Sequence, residues 1–262
     1  IQDIPSRALA DLEQLTKIKI TSCELKSIAD DAFAGTTNVQ EIELKDNALQ
    51  NVSYDIFSKM PLLRILQLSQ NDLKVFPKVQ STEIEFIDIS LNRELDSIPG
   101  DITFHSGNKL TKLYLQSTSI SMFPKDFFKN LTKLHTLNLF QTKITSVPVL
   151  HQSSQLTILN LYLNWNLKSL SFEGLKNINS INLWNSKISK INETTFASLC
   201  NLEALNLRNN LLTVFPVLHC SKQSLVSLNL KENKIKQINK THLWNMTVLE
   251  ELNLANNDLG QF

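Results

Sequence analysis

A chain of 262 residues, 42% hydrophobic and 19% charged, is long enough to bury a core, and its 26 basic and 25 acidic residues leave a net charge of +1. So small a charge sets up no long-range field that would select nucleic acid or an anionic membrane. No stretch approaches the ~20 apolar residues of a membrane-spanning helix, and no signal peptide, Gly/Ser linker or run of like charge is present, which leaves a mature segment or an intracellular protein.

The chain opens on Ile1-x-x-Ile4-Pro5-x-x-x-Leu9-x-x-Leu12, which reads as the second half of a repeat whose strand is missing. From Leu15 the pattern Leu-x-x-Leu-x-Leu-x-x-Asn-x-Leu recurs to the last residue, with Ile or Val often replacing Leu. Eleven copies open at Leu15, Val39, Leu63, Ile84, Leu110, Leu134, Leu156, Ile178, Leu202, Leu225 and Leu249, at spacings of 21 to 26 residues. That is the pattern and period of a leucine-rich repeat. Within each copy x-Leu-x-Leu-x alternates with period two, which predicts a short strand with one buried and one open face. Stacking the copies predicts an α/β-type solenoid, a curved horseshoe with a parallel β-sheet on its concave side and irregular or short helical return segments. The return segments carry apolar anchors, as in Ile28 then Phe33, Val52 then Phe57, and Ile191 then Phe196. Pro follows the first anchor at Phe76-Pro77, Ile98-Pro99, Phe123-Pro124, Val147-Pro148 and Phe215-Pro216, where a missing N–H does no harm. The unbroken repeat predicts one solenoid over residues 1–262. With no cap visible at either end and the last copy stopping at Phe262, it reads as a piece of a longer array.

The Asn position reads as scaffold. Asn47, Asn71, Asn92, Asn164, Asn210, Asn233 and Asn257 stand where the chain leaves the strand and can pair backbone groups of the turn. Cys23, Thr118, Thr142 and Ser186 take the place in the other copies, and Cys23 is expected to be a buried thiol. After Asn92 and Asn164 one extra residue precedes the next anchor, Leu95 or Leu167.

The motif, the Ile/Phe/Val-Pro after it and the later Phe resemble extracellular animal leucine-rich-repeat proteins. Leu63-Arg-Ile-Leu-Gln-Leu-Ser-Gln-Asn71-Asp-Leu-Lys-Val-Phe-Pro77, and Leu202 through Pro216, look like repeats of leucine-rich-repeat hormone (G-protein-coupled) receptors, and Toll-like receptor ectodomains are similar too. The resemblance covers nearly the whole chain. It implies recognition without catalysis: a receptor segment in innate immunity or signalling that binds a protein ligand or co-receptor. A secreted matrix or adhesion protein and an intracellular scaffold are the other readings. Whether such a chain dimerises leaves no mark in the sequence.

The residues themselves offer no catalytic constellation. His105, His135, His151, His219 and His242 are scattered and form no metal spacing with Cys or acidic residues, and no Gly-rich phosphate loop or Gly-x-Ser-x-Gly occurs. No cofactor and no metal are expected. Cys200 and Cys220 lie one repeat apart on the return side, so a disulfide and two separate thiols both remain open. Asn-x-Ser/Thr sequons stand at Asn51, Asn130, Asn192, Asn239 and Asn245. All fall on return segments and none on a strand, a distribution that suits a secreted glycoprotein with a clean sheet face.

The open strand positions carry the candidate site. The residue after the third leucine position, from the fifth repeat to the tenth, is Gln116, Phe140, Tyr162, Trp184, Arg208 and Lys231. Phe140, Tyr162 and Trp184 come from adjacent repeats and are expected side by side, with Leu163 and Trp165 extending the apolar surface. Tyr114 and Phe86 are expected to point outward nearer the N-terminal half. One column over runs an Asn row, Asn138, Asn160, Asn182, Asn206, Asn229 and Asn253, which could offer hydrogen bonds. Aromatic anchors beside Arg and Lys have the make-up of a protein-binding hot spot.

Overall fold

Period-two alternation becomes a parallel ladder. In a computed structural model describing residues 2–50, 52–150 and 152–260, the chain divides into two compact units, residues 1–134 and 135–262. Both are built as leucine-rich-repeat solenoids. In the first, strands β2 (Lys17–Lys19), β4 (Glu41–Glu43), β5 (Ile65–Gln67), β6 (Phe86–Asp88) and β7 (Lys112–Tyr114) pair in that order, all parallel. The middle residues Ile18, Ile42, Leu66, Ile87 and Leu113 are buried. Their neighbours face outward, where Lys17 bridges Glu41 and Glu43 at 2.7 Å each and holds the Glu43 carboxyl below the usual carboxylate range. On the return side, β1 (Asp3–Ile4) and β3 (Ser27–Ile28) form a second small parallel sheet, an addition to the irregular returns expected from sequence. Phe127 anchors the returns of this unit, with ring centroids 5.5 Å from Phe76, 5.4 Å from Phe104 and 4.9 Å from Phe128.

The second unit repeats the arrangement with β8 (Thr136–Asn138), β9 (Ile158–Asn160), β10 (Ser180–Asn182), β11 (Ala204–Asn206), β12 (Ser227–Asn229) and β13 (Glu251–Asn253). Leu137, Leu159, Ile181, Leu205 and Leu228 form its buried row. Each such side chain, removed from water, contributes roughly 1.5–3 kcal/mol. Its returns are mostly turns, with a 3₁₀ turn at His219–Gln223 and one short helix, α1 (Lys240–Leu243). Cys200 and Cys220 are joined in a disulfide with Cα atoms 4.9 Å apart, tying two successive returns together.

The conserved geometry of each strand exit explains the Asn position. The residue before it takes a left-handed backbone in every copy, from Ser22 to Asn256, with φ between 52° and 60°. That reversal leaves carbonyls and N–H groups inside the turn. Asn71 satisfies three of them: its Nδ2 donates to the carbonyls of Leu44 and Leu68 at 3.0 Å, and its Oδ1 accepts from the Leu49 N–H at 3.1 Å. Asn164, Asn210 and Asn233 do the same work. Where Thr or Ser stands in, the hydroxyl bonds groups of the turn, as from Thr118 to the Leu115 carbonyl at 2.8 Å. Cys23 corrects an expectation: its thiol is half-buried rather than buried, because it follows β2, which lies at the edge of its sheet and is covered by a neighbouring strand on one side alone among the described residues.

Candidate protein-binding face

In the second unit the ladder runs past the strands and carries the aromatic row with it. The Gln141 N–H donates to the Tyr162 carbonyl, Leu163 to Trp184, Asn185 to Arg208 and Asn209 to Lys231, each at 2.8–2.9 Å. In-register parallel pairing therefore sets Phe140, Tyr162, Trp184, Arg208 and Lys231 in one line across the strands on the open face. Phe140 and Tyr162 stack with centroids 4.2 Å apart and planes 10° from parallel. Trp184 follows at 5.8 Å, tilted by 39°. All three are half-buried by one another, and this burial raises the pKa of the Tyr162 hydroxyl above its ordinary value. The indole Nε1 of Trp184 is buried with no hydrogen-bond partner.

The two cations of the row are not free. Arg208 makes a two-pronged contact with Glu232, Nε to Oε2 at 3.2 Å and Nη2 to Oε1 at 3.1 Å, and Lys231 reaches the same carboxylate at 3.6 Å. The Arg208 hydrogen bonds hold the Glu232 carboxyl below the carboxylate range. Glu232 escapes a reading of the sequence because it occupies the left-handed position after Lys231, and its partner lies 24 residues away.

Beside the row, the extra residue after Asn164 produces a protruding turn, closed by the Leu167 N–H to the Asn164 carbonyl at 3.1 Å. That turn pushes Trp165 out to 50% exposure, with the Lys187 ammonium 5.8 Å from its ring centroid. Leu163 is half-buried next to it, at φ 60°. In the first unit Phe86 and Tyr114 meet edge to face at 5.1 Å, both half-buried on the open side of β6 and β7.

The side-chain oxygens of the Asn row are tied to the backbone of their own repeats. Asn182, Asn206, Asn229 and Asn253 each accept, through Oδ1, the backbone N–H two residues on, at 3.0–3.1 Å. Asn160 donates to Asn138. Their carbonyl oxygens thus rigidify the strand exit from which the aromatic row projects.

An open hollow of about 590 Å³ lies on the side where the strands of the second unit begin, lined by Asn177, Asn179, Asn201, Glu203, Val226 and Val248 among others. Three of its amides are engaged within the fold: Asn177 donates to the Ser154 carbonyl at 2.7 Å, Asn201 to the Lys176 carbonyl at 2.9 Å, and Asn179 to the Glu203 carboxylate at 3.1 Å. Among the described residues no group of three or more His, Cys, Asp or Glu could hold a metal ion, and no helix is long and apolar enough to cross a membrane.

The sequons differ in accessibility. Asn192, Asn239 and Asn245 are exposed. Asn130 is half-buried and its Nδ2 donates to the Phe104 carbonyl at 2.7 Å. Asn51 lies outside the described residues.

Leucine-rich-repeat models match residues 1–73, 108–165 and 176–222, and the chain belongs to the leucine rich repeat family. It is 29% identical to Tsukushi of Gallus gallus over 74% of its own length and 54% of that protein's. It is 26% identical to leucine-rich repeat-containing G-protein coupled receptor 5 of Xenopus tropicalis, over 80% of this chain and 21% of that one. Among solved structures, a chain of the Toll–Spatzle complex, a molecular hub in Drosophila development and innate immunity, superposes with a TM-score of 0.85 at 22% identity, over 98% of this chain and 37% of that chain. The chain thus spans about half or less of the length of these proteins.

Proposed function

We propose that the chain is a ligand-recognition segment of an extracellular leucine-rich-repeat receptor, in innate immunity or signalling, and that it binds a protein without doing chemistry. The observation that carries this reading is the in-register row Phe140, Tyr162 and Trp184 on the open sheet face. The exposed Trp165 and the adjacent Leu163 widen the apolar patch in the manner of an interface core. The disulfide and the exposed sequons support an oxidising, extracellular setting. The likeness to a G-protein coupled receptor supports the receptor reading, and the likeness to Tsukushi supports the alternative of a secreted matrix or adhesion protein.

The test uses the chain immobilised and exposed to extracellular fluid and detergent-solubilised cell-surface proteins, with captured proteins identified by mass spectrometry. Trp184→Ala and Tyr162→Ala are expected to weaken the captured partner's binding by about 2 kcal/mol each, with unchanged circular dichroism. A partner held equally well by both variants would move the site off this face.

A further inference from the structure

We infer that the aromatic row reads an extended peptide segment lying across the strands, with apolar side chains over Phe140–Trp184 and an acidic side chain over Arg208 and Lys231. This deepens, and rests on, the binding reading above. The row is chemically polar along its length: three adjacent rings, then two adjacent cations. Glu232 is the carboxylate that faces both cations, so the local balance is two positive charges against one negative, a net of +1. Fork-like pairing holds the Arg208 guanidinium in place while leaving part of it open, with the side chain 40% exposed and that of Lys231 31% exposed. A second carboxylate arriving there meets a preset, half-desolvated pair of donors, the setting in which charge-assisted hydrogen bonds are strong.

Dimensions agree with a single peptide strand. Five in-register positions at about 4.8 Å per strand span roughly 19 Å. An extended chain covers that in about six residues, so an acidic residue two or three positions from an apolar pair falls over the cations. Lys187 is engaged with the Trp165 ring beside the apolar half. No acidic side chain pairs with the aromatic row itself among the described contacts, which gives the ligand one preferred direction of polarity.

The experiment is selection of a phage-displayed library of random twelve-residue peptides on the immobilised chain, with each peptide fused at its C-terminus so that no free terminal carboxylate is present. Enriched sequences are expected to pair aromatic or aliphatic residues with Asp or Glu two or three positions away. In synthetic peptides with amidated C-termini, replacing that acid by its amide should weaken binding about tenfold. The same replacement should cost less than twofold on Arg208→Gln/Lys231→Gln, and on Lys231→Gln alone an intermediate factor, provided thermal unfolding is unchanged. Peptides that need Tyr162 and Trp184 but show no acidic preference, or prefer Lys or Arg, would overturn this inference and leave the aromatic site standing. Peptides indifferent to Trp184→Ala and Tyr162→Ala would overturn both. A library that yields no enriched sequence rejects a single extended peptide as the ligand class.

Discussion

Asn164 is fully buried and bonded on three sides, to the carbonyls of Leu139 and Leu161 and to the N–H of Thr142. Asn164→Ala strands these groups without water and is expected to cost about 3 kcal/mol, read as a lower midpoint in chemical unfolding. His242 offers a pH test. Its ring stacks on Phe215 with centroids 5.1 Å apart, and its Nδ1 accepts the Asn239 N–H at 3.2 Å, which requires the neutral ring. Burial, aided by nearby Lys222, lowers its pKa below the ordinary 6.5. The unfolded chain then binds the proton more tightly than the folded one, so stability should fall as pH drops through about 6.5. Thermal unfolding at pH 7.5 and 5.5 should show this loss, and His242→Gln should abolish its dependence on pH. Among the sequons, Asn130 donates into the fold through the same nitrogen that a glycan would occupy. Expression through a eukaryotic secretory pathway is expected to fill Asn192, Asn239 and Asn245 and leave Asn130 largely bare, as peptide mass spectrometry would show.

At the level of elements, the repeat was legible because a parallel, in-register ladder carries each position of one copy onto the same position of the next. That is why leucine periodicity predicted the buried row Leu137, Leu159, Ile181, Leu205 and Leu228. It is also why three aromatics at one motif position predicted a contiguous stack. What the motif does not encode is where a side chain turns once the backbone goes left-handed. Glu232 reaching Arg208 and the outward swing of Trp165 both arise there. The Cys200–Cys220 bridge could not be read either, because it depends on a Cα separation set by how two returns stack. Closing a loop of 20 residues, it is expected to contribute about 3 kcal/mol. Cys200→Ser/Cys220→Ser should lower stability by that amount while leaving the open sheet face intact.

For a molecule built of stacked repeats, each copy leans on its neighbours and damage stays local. Leu205→Ala is expected to cost about 3 kcal/mol and to speed amide hydrogen exchange in β10, β11 and β12 more than in β8. Uniform acceleration across all strands of the second unit would mean that it opens as one body. The left-handed residue at each strand exit has a further consequence. Asn and Asp tolerate that backbone far better than a branched apolar residue does, and Asn185, Asn209 and Asn256 occupy it comfortably. Leu91 and Leu163 occupy it too, in the two copies that carry the extra residue. Leu163→Asn should therefore raise the melting temperature while weakening partner binding. A variant improved by selection for heat resistance alone would then lose its grip on the ligand, so stability and recognition compete at one side chain.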